Sequence, residues 1–123
     1  MAKRFRIRWL AQPKPGNYPA AQSYLSLVFD DKTAARYVRQ LKRAAVSQFK
    51  SKDIFRASSL PLMGVSNFFV ELDRKKILKG EALSPILLVR DTLNRRVIVA
   101  DGYHRLCSVY QMDHEAPIPC KIV

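Results

Sequence analysis

Five consecutive residues near the end of the sequence have side chains that could bind a phosphate group. They are Asp101, Gly102, Tyr103, His104 and Arg105, and they follow an apolar stretch and begin a pattern typical of a helix. The first N–H groups of a helix have no partners inside it and attract anions. Glycine allows a tight turn close to a ligand, and a guanidinium can donate two hydrogen bonds to phosphate. The run therefore predicts a phosphate-binding turn.

Each residue of this turn has a predicted role and a plainer structural alternative. Asp101 and His104 are candidate catalytic residues, because a carboxylate beside a bound phosphate can hold a metal ion or accept a hydroxyl proton. The candidate phosphate or nucleotide ligands are Gly102, Tyr103, His104 and Arg105. The alternatives are a helix-capping Asp101, a turn glycine, a core Tyr103, a structural His104 and a solvent-exposed Arg105.

The flanking sequence predicts the strands and helices that would hold this turn. Two apolar stretches around a polar turn indicate a hairpin, and a helical face and a proline-bracketed stretch follow. These elements are a strand at 86–89, a turn at 91–95, a strand at 97–100, a helix at 103–112 and a strand at 118–123.

A further helix is predicted ahead of the hairpin, over residues 68–79. Ser66 or Asn67 could cap its start, and Gly80 could close it in a left-handed conformation. The preceding residues 53–66 are interpreted as a short strand and an irregular connection.

The N-terminal part contains two more predicted strands. Residues 4–10 alternate basic and apolar side chains, which is the period of a strand with one buried face. Its charged face would consist of Arg4, Arg6 and Arg8. Residues 23–29, rich in Leu, Val and aromatic residues, are interpreted as the second strand.

A strongly two-faced helix is predicted over residues 31–50, with Asp30 and Asp31 placed to cap its start. At about 100° per residue, one face is apolar and the opposite face is basic. The basic side chains are Lys32, Arg36, Arg39, Arg43 and Lys50. A solvated surface helix would explain this face, and so would a nucleic-acid-binding surface; the lack of acidic residues between positions 32 and 52 adds weight to the second explanation.

The positive charge of the chain is large and uneven. The net charge is +12 at pH 7. Residues 1–56 carry thirteen Lys and Arg against three Asp, a net charge of +10, and residues 57–123 carry nine basic against seven acidic residues, a net charge of +2. Such a field favours contact with phosphates or with an acidic protein, and salt would weaken that contact.

Length and composition predict one small α+β domain with a mixed sheet and helices. A chain of 123 residues that is 48% apolar can bury one ordinary core. Within it we distinguish a basic N-terminal part, 1–66, from a phosphate-site core, 67–123. The sequence has no apolar run near the roughly 18 residues of a spanning helix and no apolar block of a secretory signal, which predicts a cytoplasmic protein.

The two cysteines, Cys107 and Cys120, are predicted to be buried, reduced thiols. They lack Cys-x-x-Cys spacing and neighbouring ligands that would indicate zinc. A disulfide between them is the alternative, and a cytosolic redox potential argues against it.

The C-terminal part resembles the core of the ParB/sulfiredoxin superfamily, in particular its short stand-alone bacterial members. The similarity covers about residues 70–123 and rests on 84–90, 100–106 and 118–123. Partition proteins of this superfamily carry a Gly-Glu-Arg-Arg box at the turn, sulfiredoxins carry Gly-Cys-His-Arg, and ADP-dependent free-serine kinases carry Asp-Gly-His-His-Arg, which is most similar to residues 101–105. The resemblance implies a phosphate pocket at 102–105, with Lys79 and Ser84 as contributors.

Departures from these families limit the activities that the resemblance implies. Tyr103 stands where sulfiredoxins have their catalytic cysteine, so sulfinic-acid reductase activity is not expected. The sequence has no counterpart of the helix-turn-helix and dimerisation domains of full partition proteins, and the second, N-terminal catalytic Glu of the serine kinases cannot be placed. Nucleotide hydrolase, kinase and nuclease activities stay open, although no two-metal carboxylate cluster supports a nuclease.

Three hypotheses follow from the sequence. The first is a nucleotide-binding domain, in which Asp101 would hold Mg²⁺ or act as a base for phosphoryl transfer or hydrolysis. The second is a non-catalytic DNA- or RNA-binding module that uses the basic N-terminal part. The third is a protein that binds an acidic protein partner.

Overall fold

The computed structural model describes residues 6–62 and 67–123, and within them the chain forms five helices and four strands. In chain order these are α1 (Asn17–Val28), α2 (Asp31–Arg43), β1 (Ser47–Lys50), α3 (Ser51–Ser58), α4 (Phe68–Leu78), β2 (Ile86–Asp91), β3 (Arg96–Asp101), α5 (Tyr103–Met112) and β4 (Pro117–Ile122). The predicted α+β class with a mixed sheet is confirmed.

The four strands form one sheet in the order β1-β4-β2-β3. β2 and β3 are an antiparallel hairpin joined through a 3-10 turn at Thr92–Asn94. β2 and β4 are parallel, and β1 pairs with β4 antiparallel. Because β1 belongs to the N-terminal part of the chain, that part is integrated into the sheet.

The sheet lies between two layers of helices, since successive residues of a strand face opposite sides. On one side Ile86 and Leu88 of β2 pack against residues of α3, α4 and α5. On the other side Leu87 and Val89 pack against α1 and α2. Two apolar clusters, one on each side, therefore fix all five helices to the sheet.

The predicted strand at residues 23–29 is wrong, because this segment belongs to helix α1. Ala21 and Leu25 are fully buried four residues apart, whereas Leu27 is 87% exposed. A strand would have turned Leu25 and Leu27 to the same side. Contact with β3 and α2 selects the helix, although the local composition favours a strand.

The helix predicted over residues 31–50 is only partly correct, since α2 ends at Arg43 and residues 47–50 form β1. Asp30 caps α2 as predicted, accepting a hydrogen bond from the Thr33 N–H at 2.7 Å. The apolar stripe of the sequence continues past Arg43, but the helix does not. Residues 47–50 form a strand instead, because backbone pairing of β1 with β4 outweighs the helical pattern.

The short strand predicted within residues 53–66 is also wrong where the structure describes it. Residues 51–58 form helix α3, in which Ser51, Ile54 and Ser58 are buried at helical spacing. The Ser51 hydroxyl donates to the carbonyls of Asp113 and His114, which anchors the start of α3 beside β4. Residues 63–66 of the predicted connection, and Ser66 as a cap, lie outside the described residues.

In the described part of the predicted N-terminal strand, residues 6–10, the strand is reduced to one bridge, between Trp9 and Leu83. The alternation itself is present, since Ile7 and Trp9 pack against the core while Arg6 and Arg8 are exposed. Arg8 donates to the Gly80 carbonyl at 3.3 Å. Arg4 lies outside the described residues.

The C-terminal elements agree with the prediction. Asn67 caps α4 and Gly80 follows it with a φ of 76°. The hairpin, the helix at 103–112 and the last strand are all present, with β4 running from Pro117 to Ile122.

Both cysteines are buried, as predicted, and no disulfide joins them. Burial raises the pKa of the Cys120 thiol to about 11, which disfavours the reactive thiolate. In the described residues, no helix combines the length and apolar character needed to cross a membrane.

The helical assignment of α1 predicts different effects for two leucines two residues apart. Replacing Leu25 with Ala should lower the free energy of unfolding by about 2–5 kcal/mol, because it removes buried side-chain volume. Replacing the exposed Leu27 with Ala should change it by less than about 0.5 kcal/mol. Urea denaturation of both variants checks this, and equal losses would indicate a strand instead of a helix.

Candidate functional site

The turn from β3 into α5 depends on Gly102. Its φ is 111°, a conformation that disfavours every residue with a Cβ. A Cβ placed here would lie 2.8 Å from Ile86 Cβ, still closer to Ile86 Cγ2, and 2.9 Å from Arg105 Nη2. The register between β2 and β3 also shifts between Leu87 and Leu88, a bulge just before the turn. Glycine is therefore required both by the backbone and by the space.

Arg105 is held against this turn by Asp101. The guanidinium Nη2 lies 3.0 Å from Asp101 Oδ2, and both side chains are 16% exposed. Arg105 Nε is buried without a hydrogen-bond partner, and no other buried side-chain nitrogen or oxygen in the described residues shares that condition. An unpaired buried donor costs free energy, and within the described residues no contact offsets that cost for Nε.

The Arg105 side chain lines a polar pocket of about 230 Å³, which we call the Arg105 pocket. Three cations line it: Lys14, Lys76 and Arg105. Asn17 and Ser84 form another part of the wall, where the Ser84 hydroxyl donates to Asn17 Oδ1 and accepts from the Lys14 backbone N–H at 3.0 Å. The pocket therefore offers several positive charges and polar groups to one small ligand.

Two carboxylates, Asp73 and Glu81, share the pocket with these cations. The Asp73 side chain is 13% exposed and lies 4.0 Å from Lys76 Nζ. Burial raises the pKa of the Asp73 carboxyl above its ordinary value, while the charges of Arg105, Lys76 and His104 act in the opposite direction. For Asp73, burial of the carboxyl therefore outweighs the attraction of the neighbouring cations.

The structure does not bring all of the predicted site residues into this pocket. Ser84 and Arg105 line it, but His104 does not, and its ring lies 5.1 Å from the Phe69 ring. The Tyr103 side chain packs against the core and its hydroxyl donates to the Pro61 carbonyl, as in the structural alternative. Burial raises the pKa of Tyr103, with Cys107 adding to the shift.

Lys79 is exposed at the end of α4 and is not part of the pocket wall, whereas Lys76, one turn earlier, is. The sequence prediction missed Lys14, Asn17, Asp73, Lys76 and Glu81. The i, i+3 pair of Asp73 and Lys76 on a predicted helix was the available signal, because such residues share a face. Lys14, in the loop before α1, and Asn17, the first residue of α1, are distant in the sequence and carry no such signal.

The predicted basic face of α2 is present and defines a second candidate surface. Lys32, Arg36, Arg39 and Arg43 are exposed, and we call them the basic ridge. None of the ion pairs among the described residues involves them. Lys50 lies on β1 instead, 3.0 Å from Glu115, and does not continue the ridge.

Comparison with protein-family models, curated proteins and solved structures gives no match to this chain. Membership of the ParB/sulfiredoxin superfamily therefore stays a prediction. In residues 6–62 and 67–123, no three His, Cys, Asp or Glu side chains lie together as metal ligands.

Gly102 can be tested against a glycine that has open space around it. Gly102→Ala should destabilise the protein by about 2–4 kcal/mol, since it combines an unfavourable φ with a clash against Ile86. Gly16→Ala should stay within about 0.5 kcal/mol, because nothing lies within 4 Å of its Cβ position. Thermal and urea unfolding measure both, and a neutral Gly102→Ala would contradict the tight turn.

Proposed function

We propose that this protein binds a phosphorylated ligand, best a nucleotide, in the Arg105 pocket. The observation that carries the proposal is the Arg105 side chain, 16% exposed and with one nitrogen unpartnered, in the lining of a pocket with three cations. A phosphate oxygen would accept from the guanidinium, and charge-assisted hydrogen bonds of this kind are the stronger ones.

The surrounding groups support an anionic ligand. Lys14 and Lys76 would add positive charge from the pocket lining, and Ser84 a hydroxyl. Arg105, in the first turn of α5, is the residue of the predicted phosphate-binding turn that lines the pocket. Asp101 acts in this proposal as a positioning residue for Arg105, in place of the catalytic role expected from the sequence.

The resemblance to the ParB/sulfiredoxin superfamily favours a nucleotide over free phosphate. Asp73 and Glu81 would contact the other parts of a nucleotide. A carboxylate can accept hydrogen bonds from the hydroxyl groups of the ligand, and it can contact Mg²⁺ bound to the phosphates. A hydrolytic or phosphoryl-transfer step and a cytoplasmic location both stay predictions.

Two lysines one helical turn apart provide a matched test of this proposal. ATP, ADP or CTP with Mg²⁺ should raise the melting temperature of the wild-type protein, and Lys76→Met should weaken that effect several-fold. Lys79→Met, which removes the same charge outside the pocket, should leave the effect unchanged. Differential scanning fluorimetry and isothermal titration calorimetry provide the measurements.

Arg105→Met tests the central contact of the site. It should abolish the nucleotide-dependent shift, and Arg56→Met, at an 88% exposed side chain, should retain it. Circular dichroism first checks that each variant is folded. Equal affinity of Lys76→Met, Arg105→Met and wild type, or the lack of any nucleotide effect on wild type, would disprove the proposal.

A second candidate function is sequence-independent binding of a nucleic acid to the basic ridge. The observation in its favour is the alignment of four exposed cations without ion pairs on α2. At about 1.5 Å per residue, positions 32 to 43 extend over about 16 Å, enough to follow several phosphates of one strand. Backbone contacts of this kind give affinity without base specificity.

Salt dependence distinguishes specific use of the ridge from general positive charge. The double variant Arg39→Gln/Arg43→Gln should reduce the slope of log affinity against log salt by about two. The control Arg56→Gln/Arg95→Gln loses the same charge elsewhere and should reduce it less. Fluorescence anisotropy with duplex DNA and single-stranded RNA measures both slopes. Equal slopes would count against the ridge, and equally tight binding of poly-glutamate would favour an acidic protein partner.

A further inference from the structure

A second cavity lies at the opposite end of β2 from the Arg105 pocket. It has a volume of about 240 Å³, is open to solvent, and is lined by α3 and by residues of all four strands. Ile54 and Leu88, both buried, belong to this lining together with other apolar side chains. We call it the Arg90 cavity, because Arg90 and Asp53 are the charged residues at its wall.

The position of the Arg90 cavity in the sheet favours a ligand site. β2 and β4 are parallel, and Arg90 and Ile122 stand near their carboxyl ends. In open α/β sheets, ligands bind at the carboxyl ends of parallel strands, and this cavity adjoins those ends of the parallel pair β2 and β4. An apolar wall with few polar groups is also the usual composition of small-molecule sites.

The two charged groups of this cavity are available to a ligand. Arg90 is exposed, and none of the ion pairs among the described residues includes it. Asp53 lies 3.9 Å from Arg56, whose side chain is 88% exposed. An ion pair that long and that exposed is weak, so it does not occupy the Asp53 carboxylate.

We infer that the Arg90 cavity binds a free α-amino acid with an apolar side chain. The carboxylate would contact Arg90, the ammonium group would contact Asp53, and the side chain would enter the apolar interior. This ligand uses both charges and the apolar wall at once, and an amino acid of the size of leucine or phenylalanine is suited to a cavity of about 240 Å³. A purely apolar ligand would leave both charges unused.

Ligand analogues test the three contacts separately. Calorimetry and nuclear magnetic resonance titration should give measurable binding of phenylalanine or leucine. Serine, which lacks the apolar group, 3-phenylpropanoate, which lacks the ammonium, and phenethylamine, which lacks the carboxylate, should each bind about tenfold more weakly or worse. Equal binding of phenylalanine and 3-phenylpropanoate would overturn the assignment, because Asp53 would then contribute nothing.

Two conservative variants and two controls complete the test. Arg90→Met and Asp53→Asn should each weaken phenylalanine binding about tenfold. Arg56→Met, next to the cavity, and Arg105→Met, at the other end of the sheet, should leave it unchanged. The proposal is wrong if wild type binds neither phenylalanine nor leucine, or if Arg90→Met binds them normally. Nucleotide binding to the Arg105 pocket is measured separately and does not depend on either result.

Discussion

The close approach of Gly102 to Ile86 is the constraint on which the Arg105 pocket depends. Since Gly102 has no Cβ, the chain can leave β3, turn against the Ile86 side chain of β2 and enter α5 at the next residue. This sharp turn brings Asp101 and Arg105 together as an i, i+4 pair. The pair then directs the guanidinium along the turn and toward the pocket. A larger residue would separate α5 from β2 and displace that wall.

The acidic residues of the pocket are explained by the same electrostatics. Three cations around a small volume repel one another, more so within a chain of net charge +12. Asp101 and Asp73 offset part of that repulsion, since Asp101 pairs with Arg105 and Asp73 lies near Lys76 and Arg105. A carboxylate in an anion site is thus compatible with phosphate binding, because it allows the cations to be assembled before the ligand arrives.

The sequence predicts those elements whose local pattern and tertiary surroundings agree. The hairpin and α5 have strong apolar periodicity and are bounded by proline and glycine. They also pack against segments that are close to them in the sequence. The predictions for α1, β1 and α3 are wrong because contacts with distant residues determine these elements. Examples are Leu25 packed against the sheet and Ser47 paired with Cys120. The site follows the same rule: the turn at Gly102 is local and predictable, whereas Lys14 and Asn17 come from the start of α1 and the loop before it, far earlier along the sequence.

The three candidate surfaces differ in how exposed their charges are, which determines how each responds to salt. The basic ridge belongs to a helix on one side of the sheet, while the two cavities adjoin opposite ends of β2 and share no residue. Salt screens exposed charges over about 8 Å at physiological ionic strength and buried ones much less. The guanidinium of Arg105, 16% exposed, keeps most of its attraction for an anion under conditions that weaken the ridge. Ionic strength can therefore separate contacts made by the pocket from contacts made by the surface field.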